Sequence, residues 1–444
     1  MIKSNNQYDI FYMRLFLLLI VLTLACVRNV NANVILDSEI AEAVDLVIAP
    51  LREASGIKDL KIYIIDDPSP NAFTSGGHEI FINSGLIIDY PDPDVLRGVV
   101  AHEIGHLLGH HVTRRQEVVD NYQKAAIGAT ALGLATAISG GAAEGMAIAM
   151  GGVHFAERSI YAYSRSFESS ADQMALKLLE KSSHSAIGLI KFFEKMQMFA
   201  NNGSVNPYEQ THPMSNDRLL ILRGFNKRSK FKTSQNKDDI IYKYTRSSAK
   251  LAAFTLALDQ IQDCSYAKNS DELTHYIKAI QCFRIGNFDD SLNHINHLVM
   301  LHPDDPYYHE LKAQIYFEAG KSAALSEYIM AVELRPNDVL IRLGKAIVGI
   351  ATSNSTNPRA ITKFYKDLLF VIERDPDNLL ALYYLAIYYE RTGATGKSYL
   401  NTALIALKAG RSTDARTMAA AAMRALPQNS PDWYKAGDIL AATE

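Results

Sequence analysis

The chain is short of the features that usually classify a protein at once. Three cysteines in 444 residues exclude a disulfide-stapled scaffold, so the fold must rest on hydrophobic cores. An excess of one charge is also missing. The 45 Lys and Arg residues face 48 Asp and Glu, for a formal net charge of −3, which gives no reason to expect nucleic acid as a partner. Long low-complexity segments are absent. So is a series of long apolar runs, which excludes a polytopic membrane protein.

The one compact apolar run lies at the start. Lys3 and Arg14 precede "LFLLLIVLTLACV" (15–27), and "VNANV" offers a small-residue cleavage site after Ala32. That order reads as a secretory signal peptide over residues 1–32. Cys26 loosely fits a lipoprotein box, but Thr23 stands where such boxes prefer an aliphatic residue. Cys264 and Cys282 would remain after cleavage. They can pair in an oxidising compartment or pack separately as small apolar groups.

Periodicity and punctuation predict a helix over 33–56, strands over 60–67 and 78–87 with turn chemistry between them, and one long helix from Asp94 to about residue 123. Further helices are expected at about 157–181 and 184–200, and a loop at 201–213. Residues 125–152 are built from Ala, Gly and Thr and carry no charge before Glu144. They fit tightly packed small-residue helices or a lid, or else a hairpin touching a membrane surface; Glu144 argues against a clean span. A polar, basic linker is placed at 226–240, and the chain beyond it is almost wholly helical.

That second half repeats. Ala279, Gly286, Ser291, Leu298 and Pro303 align with Ala313, Gly320, Ala324, Ala331 and Pro336, and again with Ala403, Gly410, Ala415, Ala422 and Pro427. A half-unit ends at Gly393, and "ATSNSTNPR" (351–359) interrupts the register. The pattern resembles tetratricopeptide repeats, helix pairs of about 34 residues whose small residues let helices cross closely. Such an all-α solenoid offers a concave face suited to protein segments.

The chemistry is concentrated in "VVAHEIGHLLGHHV" (99–112). On a helix, His102 and His106 at i and i+4 point the same way and can share one zinc ion. Glu103 lies beside that metal, where it can take a proton from an attacking water. A catalytic zinc needs a third protein ligand. The pattern H-E-x-x-H-x-x-G-x-x-H would supply it at position 112, which is Val112. His110 falls a turn beyond and His111 misses by one residue, so both are expected to be plain helix residues. "YSRSFESSADQMA" (163–175) offers an alternative, with Glu168 as ligand and Asp172 on the same face to accept a hydrogen bond from a ligand histidine. His154, His184, His275, His294, His297, His302 and His309 have no ligand spacing and are read as surface or packing residues.

"AHEIGH", "SRSFESSAD" and "THP", with "NAF" and "SGL" earlier, resemble the membrane-associated zinc metalloproteases that include the CAAX prenyl endopeptidases, HtpX and the β-barrel assembly-enhancing proteases. The last type also combines an export signal with tetratricopeptide repeats. The resemblance implies an α+β zincin-like (gluzincin) domain over 33–225, then the helical domain over 241–444. It implies one Zn2+ on His102, His106 and Glu168, Glu103 as general base and Asp172 as the carboxylate behind a ligand. It assigns His212 to a histidine that can occupy the open zinc position, and Arg218 to one that steadies the oxyanion or substrate. It matches the strand at 78–83 to the sheet edge that pairs with an extended peptide. The function implied is an exported zinc metalloendopeptidase acting on unfolded or stalled proteins in the periplasm, alongside envelope assembly machinery. The alternative is a chaperone or scaffold with a self-inhibited zinc site.

Overall fold

The computed structural model describes residues 34–138, 164–201, 208, 211–233, 235–260, 270–353 and 358–443. The expected signal peptide, Cys26, Glu144, His154 and Cys264 lie outside the described residues, and with them the question of a Cys264–Cys282 pair. No described helix is long and apolar enough to cross a membrane.

The first core forms around helix α1 (Ser38–Ser55) and a small sheet of β1 (Lys61–Ile65), β2 (Ala72–Thr74) and β3 (Glu79–Asn83). Asp37 caps α1 by accepting from the Ile40 amide. Alternation sets the faces of β3: Ile80 and Ile82 point into the core, whereas Phe81 lies between Tyr63 and Phe73 on the other face. The strand order is β1–β3–β2, with β1 parallel and β2 antiparallel to β3.

Three strand expectations change here. The strand predicted over 78–87 stops at Asn83, and Ser84–Asp89 forms a short helix, α2. The corner is pinned because Gly85 donates to Asp67 O at 2.9 Å and Ser84 Oγ reaches the same oxygen at 2.9 Å. A Cβ on Gly85 would lie 2.1 Å from Pro68 O, so only glycine fits. Second, the segment read as turn contains β2. Third, the strand at 78–83 is central, paired on both sides, and cannot accept a peptide; the outer strands are β1 and β2.

Helix α3 (Pro93–Leu108) starts on the Asp92 cap with Pro93 in its first turn. Its buried Arg97 donates to Val47 O and to Asp94, tying α3 to α1. The single long helix expected from Asp94 is broken. Leu108 ends α3, His110 takes φ 52°, and α4 (His111–Ile138) begins in a new direction. The turn folds the His111 ring back towards α3, so close to Gly109 that a Cβ there would meet it at 2.2 Å.

Helix α5 (164–181 where described) crosses α3 closely: a Cβ on Gly105 would lie 2.6 Å from Ala171 O. Helix α6 (Ile187–Asn201) packs on the same helix, and a Cβ on Gly188 would fall 1.9 Å from Asp94 O. Helix α7 (Asn216–Arg228) is followed by α8 (Asp238–Thr255), so helix occupies both ends of the stretch 226–240 expected to be a linker. Tyr244, Leu251 and Ala252 of α8 lie in the first core, and Ala249 and Ala253 in the next.

From α9 (Asp271–Arg284), α10 (Phe288–Leu301), α11 (Pro306–Glu318), α12 (Ala324–Leu334) and α13 (Val339–Thr352) the chain continues as helices that pack on their sequence neighbours. The series continues through α14 (Pro358–Arg374), α15 (Leu379–Arg391), α16 (Thr395–Lys408), α17 (Ser412–Ala425) and α18 (Pro431–Ala442). The recurrent small residues Ala279, Ser291, Ala313, Ala324, Ala403 and Ala415 are fully buried. Gly286, Gly320, Gly393 and Gly410 take φ of 76°, 68°, 80° and 70°, the left-handed conformation that ends a helix cheaply only at glycine.

The two halves meet through ion pairs. Glu39 of α1 accepts from Arg246 of α8 and from Tyr276 Oη of α9 (2.6 Å), and Lys250 reaches Asp37 at 2.7 Å. Arg246 also pairs with Asp305, and Glu42 accepts from Tyr307 and Arg335.

Candidate metal centre

Helix α3 presents His102 and His106 one turn apart, their Nε2 atoms 3.1 Å apart. Across the Gly105–Ala171 crossing, α5 delivers Glu168, whose carboxylate lies 3.3 Å from His102 Nε2 and 3.4 Å from His106 Nε2. His212 completes the group, with Nδ1 3.4 Å from His102 Nε2 and 3.3 Å from Glu168. All four residues are buried. A tetrahedral zinc with Zn–N bonds of about 2.0–2.1 Å has ligand–ligand edges of about 3.3 Å. The spacing of these donors matches those edges, and a carboxylate with three imidazoles is a donor set zinc accepts.

Behind the ligands, Asp172 Oδ1 lies 2.9 Å from His102 Nδ1, the contact that orients a ligand imidazole and raises its basicity. Arg218 donates Nε and Nη2 to Asp172 at 2.7 and 2.9 Å and Nη1 to Pro213 O at 2.8 Å, with Glu168 at 3.1 Å. Its guanidinium also sits over the Phe193 ring. Arg218 therefore holds two carboxylates in place, with its donors turned to them and to the "THP" loop.

Glu103 differs from the neighbouring carboxylates Glu168 and Asp172, which have partners. It is fully buried, and neither carboxylate oxygen has a hydrogen-bond partner. His212 Nε2 lies 3.6 Å from one of its oxygens. Burial, the largest influence, pushes its pKa up. An unpaired carboxylate in such a place is costly unless a cation, a proton or water occupies the space beside it. Burial opposes charge on His102, but the close carboxylates of Asp172 and Glu168 outweigh it and raise the imidazole to about 9. Burial and the nearby His102 push His106 down.

All seven residues singled out in the sequence, His102, Glu103, His106, Glu168, Asp172, His212 and Arg218, converge here. His111 was expected to be a plain helix residue. Instead its Nδ1 lies 3.1 Å from His106 Nδ1 and its ring stacks on Phe167, so it steadies the outer face of His106. Tyr208 stacks on His212 with ring centroids 4.6 Å apart. Spacing could not find either, because the first depends on the Gly109–His110 break and the second lies in a segment read as loop.

Two histidines one helical turn apart, a glutamate from a second helix and an unpaired glutamate beside them are the parts of an H-E-x-x-H metallopeptidase site. Residues 37–225 match the model of peptidase family M48. It is similar to a "Beta-barrel assembly-enhancing protease" of Yersinia pestis, 23% identical over 71% of this chain and 65% of that protein. It is also similar to a "Protease HtpX homolog" of Dictyoglomus thermophilum, 43% identical over 15% of this chain and 23% of that protein. A third relative is the "Mitochondrial metalloendopeptidase OMA1" of Schizosaccharomyces pombe, 25% identical over 40% of this chain and 50% of that protein. The chain thus spans less than two thirds of the length of each of these relatives.

Proposed function

We propose that the protein is an exported zinc metalloendopeptidase that cuts unfolded or stalled proteins during envelope assembly. The observation that carries this reading is Glu103, buried and without a hydrogen-bond partner beside three metal-compatible donors. His102, His106 and Glu168 would hold the ion, which when bound polarises the scissile carbonyl and lowers the pKa of an attacking water towards about 7. Glu103 takes that water's proton and returns it to the leaving amine. Asp172 fixes the His102 ring, and Arg218 holds Asp172 and Glu168. The substrate strand would pair with the edge of β2, which packs against α3 next to the site. The helical pairs, read as tetratricopeptide-type, would bind substrate or an assembly partner. The export signal and the names of the relatives support a periplasmic setting.

The same geometry supports a second, regulated state. His212 Nδ1 stands at the fourth corner of the donor set, where it would exclude water and leave a chaperone or scaffold with a silent site.

The test is cleavage of an unfolded protein by the purified chain, with zinc content measured in parallel. Glu103→Gln should keep the zinc and lose about 10²–10⁴-fold in rate, whereas His106→Ala should lose both. A chain that holds no zinc, or an equally active Glu103→Gln, would overturn the enzyme reading. His212→Ala should raise the rate if the second state is populated; a fall would instead place His212 among the groups the reaction needs.

A further inference from the structure

We propose that Asp271, His275 and His297 form a second site for a divalent transition metal, on the α9–α10 hairpin and separate from the M48 centre. Nothing in their sequence positions announced it, because the three residues come from two helices. Asp271 and His275 sit at i and i+4 on α9, and His297 faces them from α10.

The geometry is specific. The two oxygens of Asp271 each face a different imidazole: Oδ1 lies 3.9 Å from His275 Nε2, and Oδ2 lies 3.9 Å from His297 Nε2. One donor atom from each of the three lies within 4.8 Å of the others. A separation of 3.9 Å is too long for a hydrogen bond, so the carboxylate converges on two imidazoles without bonding either. It is a few tenths of an ångström wider than the edge of a tetrahedral zinc site, about 3.3 Å. Asp271 is 83% exposed and can close that gap by a small side-chain rotation.

The surroundings favour a metal over a simple ion pair. The His275 and His297 rings stack with centroids 4.2 Å apart, which brings both imidazoles to the same carboxylate. On the far side, His275 Nδ1 lies 2.9 Å from His294 Nδ1. If His275 donates there, its Nε2 is left as an acceptor aimed at the shared space. A ligand histidine anchored through its other nitrogen is what a metal site requires. Ser270, the α9 cap, accepts from the Leu273 amide and fixes the first turn that carries Asp271.

Two imidazoles and one carboxylate select a borderline transition metal such as Zn2+, Ni2+ or Cu2+; Ca2+ and Mg2+ prefer oxygen donors throughout. With three protein ligands and partial exposure, the remaining position stays open to water or to a donor from another molecule.

The probe is Zn2+ alone, titrated into the metal-free full chain with binding followed by calorimetry and by metal analysis after desalting. Wild type should take up two equivalents. The double variant His275→Ala/His297→Ala should take up one, as should His102→Ala/His106→Ala, each retaining the site the other lacks. Asp271→Asn and His294→Gln, which leave the hairpin core untouched, should weaken the second equivalent by about tenfold or more; unchanged circular dichroism and melting would separate this from unfolding. Saturation of wild type at one equivalent, or a second equivalent that survives in His275→Ala/His297→Ala, would overturn the proposal. The first of these results would leave the M48 centre as it stands.

Discussion

The two halves of the molecule use their buried space in opposite ways. In the first half the core encloses His102, Glu103, Glu168, Asp172, Arg218, Asp94 and Arg97, each at most 5% exposed. In the second half the corresponding positions hold Ala279, Ala313, Ala324, Ala403 and Ala415 where helices cross. A polar core costs stability unless every group finds a partner, and it is retained where it does chemistry. A core of small residues needs only close crossing, and such hairpins can be stacked in series. The first half therefore buries a polar cluster, and the second buries small residues between neighbouring helices.

The joint between them breaks that division, because it places charge in the interior on behalf of both. Arg246 pairs with Glu39 from the first half and Asp305 from the second, and is 6% exposed. Arg246→Ala would leave two carboxylates facing one another without their shared cation. Removing one partner of a buried pair costs about 3–5 kcal/mol. Chemical denaturation should report a loss of that size and resolve the single transition into two. A loss below about 1 kcal/mol would mean that the joint is solvated and the halves are independent.

The pH dependence of the joint sharpens the same point. Burial raises Glu39, but the charges of Arg246 and Lys250 and the Tyr276 hydrogen bond outweigh it and lower the carboxyl from 4.5 to about 2. A group whose pKa is depressed by folding contributes stability above its unfolded pKa and loses it as pH falls through the folded value. The contribution, on the order of 3 kcal/mol, should be complete above pH 4.5 and fade towards about pH 2. Wild type and Glu39→Gln should therefore differ in unfolding free energy by a constant amount near neutrality and converge on acidification. A difference that stays flat from neutrality to pH 2 would show that Glu39 is not held ionised.

The halves also differ in how far the sequence exposed them. The repeat was legible because each unit is local: a small residue, a glycine at positive φ and a proline recur at fixed spacing, and neighbours pack on neighbours. His102 and His106 were legible for the same reason, being one turn apart. What escaped depended on contacts distant in sequence. β2 hides in a run rich in turn residues, since three residues of strand are held by pairing with β3 and not by propensity. The centrality of β3 depends on that same pairing. The break at His110 runs against its residue type, because φ 52° is a left-handed conformation better suited to glycine. The second histidine group required knowing that α9 and α10 lie face to face.

The smallest expected effect bears on whether the fold of the first half sets the metal geometry or only permits it. Glu168 reaches His102 and His106 because α5 crosses α3 at Gly105, where a Cβ would sit 2.6 Å from Ala171 O. Gly105→Ala adds one methyl group, and by helix propensity alone it should stabilise α3 by about 1 kcal/mol. The contact with a backbone oxygen cannot be relieved by turning a side chain, so α5 must move outward. Overpacking of this kind costs about 1–3 kcal/mol and carries Glu168 away from both histidines. Zinc affinity should fall by about tenfold, read by competition with a chelator, while Gly98→Ala, which crowds Leu189 on α6, should lower stability with a smaller effect on zinc. Equal effects of the two variants on zinc would mean that the ligands find their geometry through the ion itself and that the α3–α5 crossing does not set it.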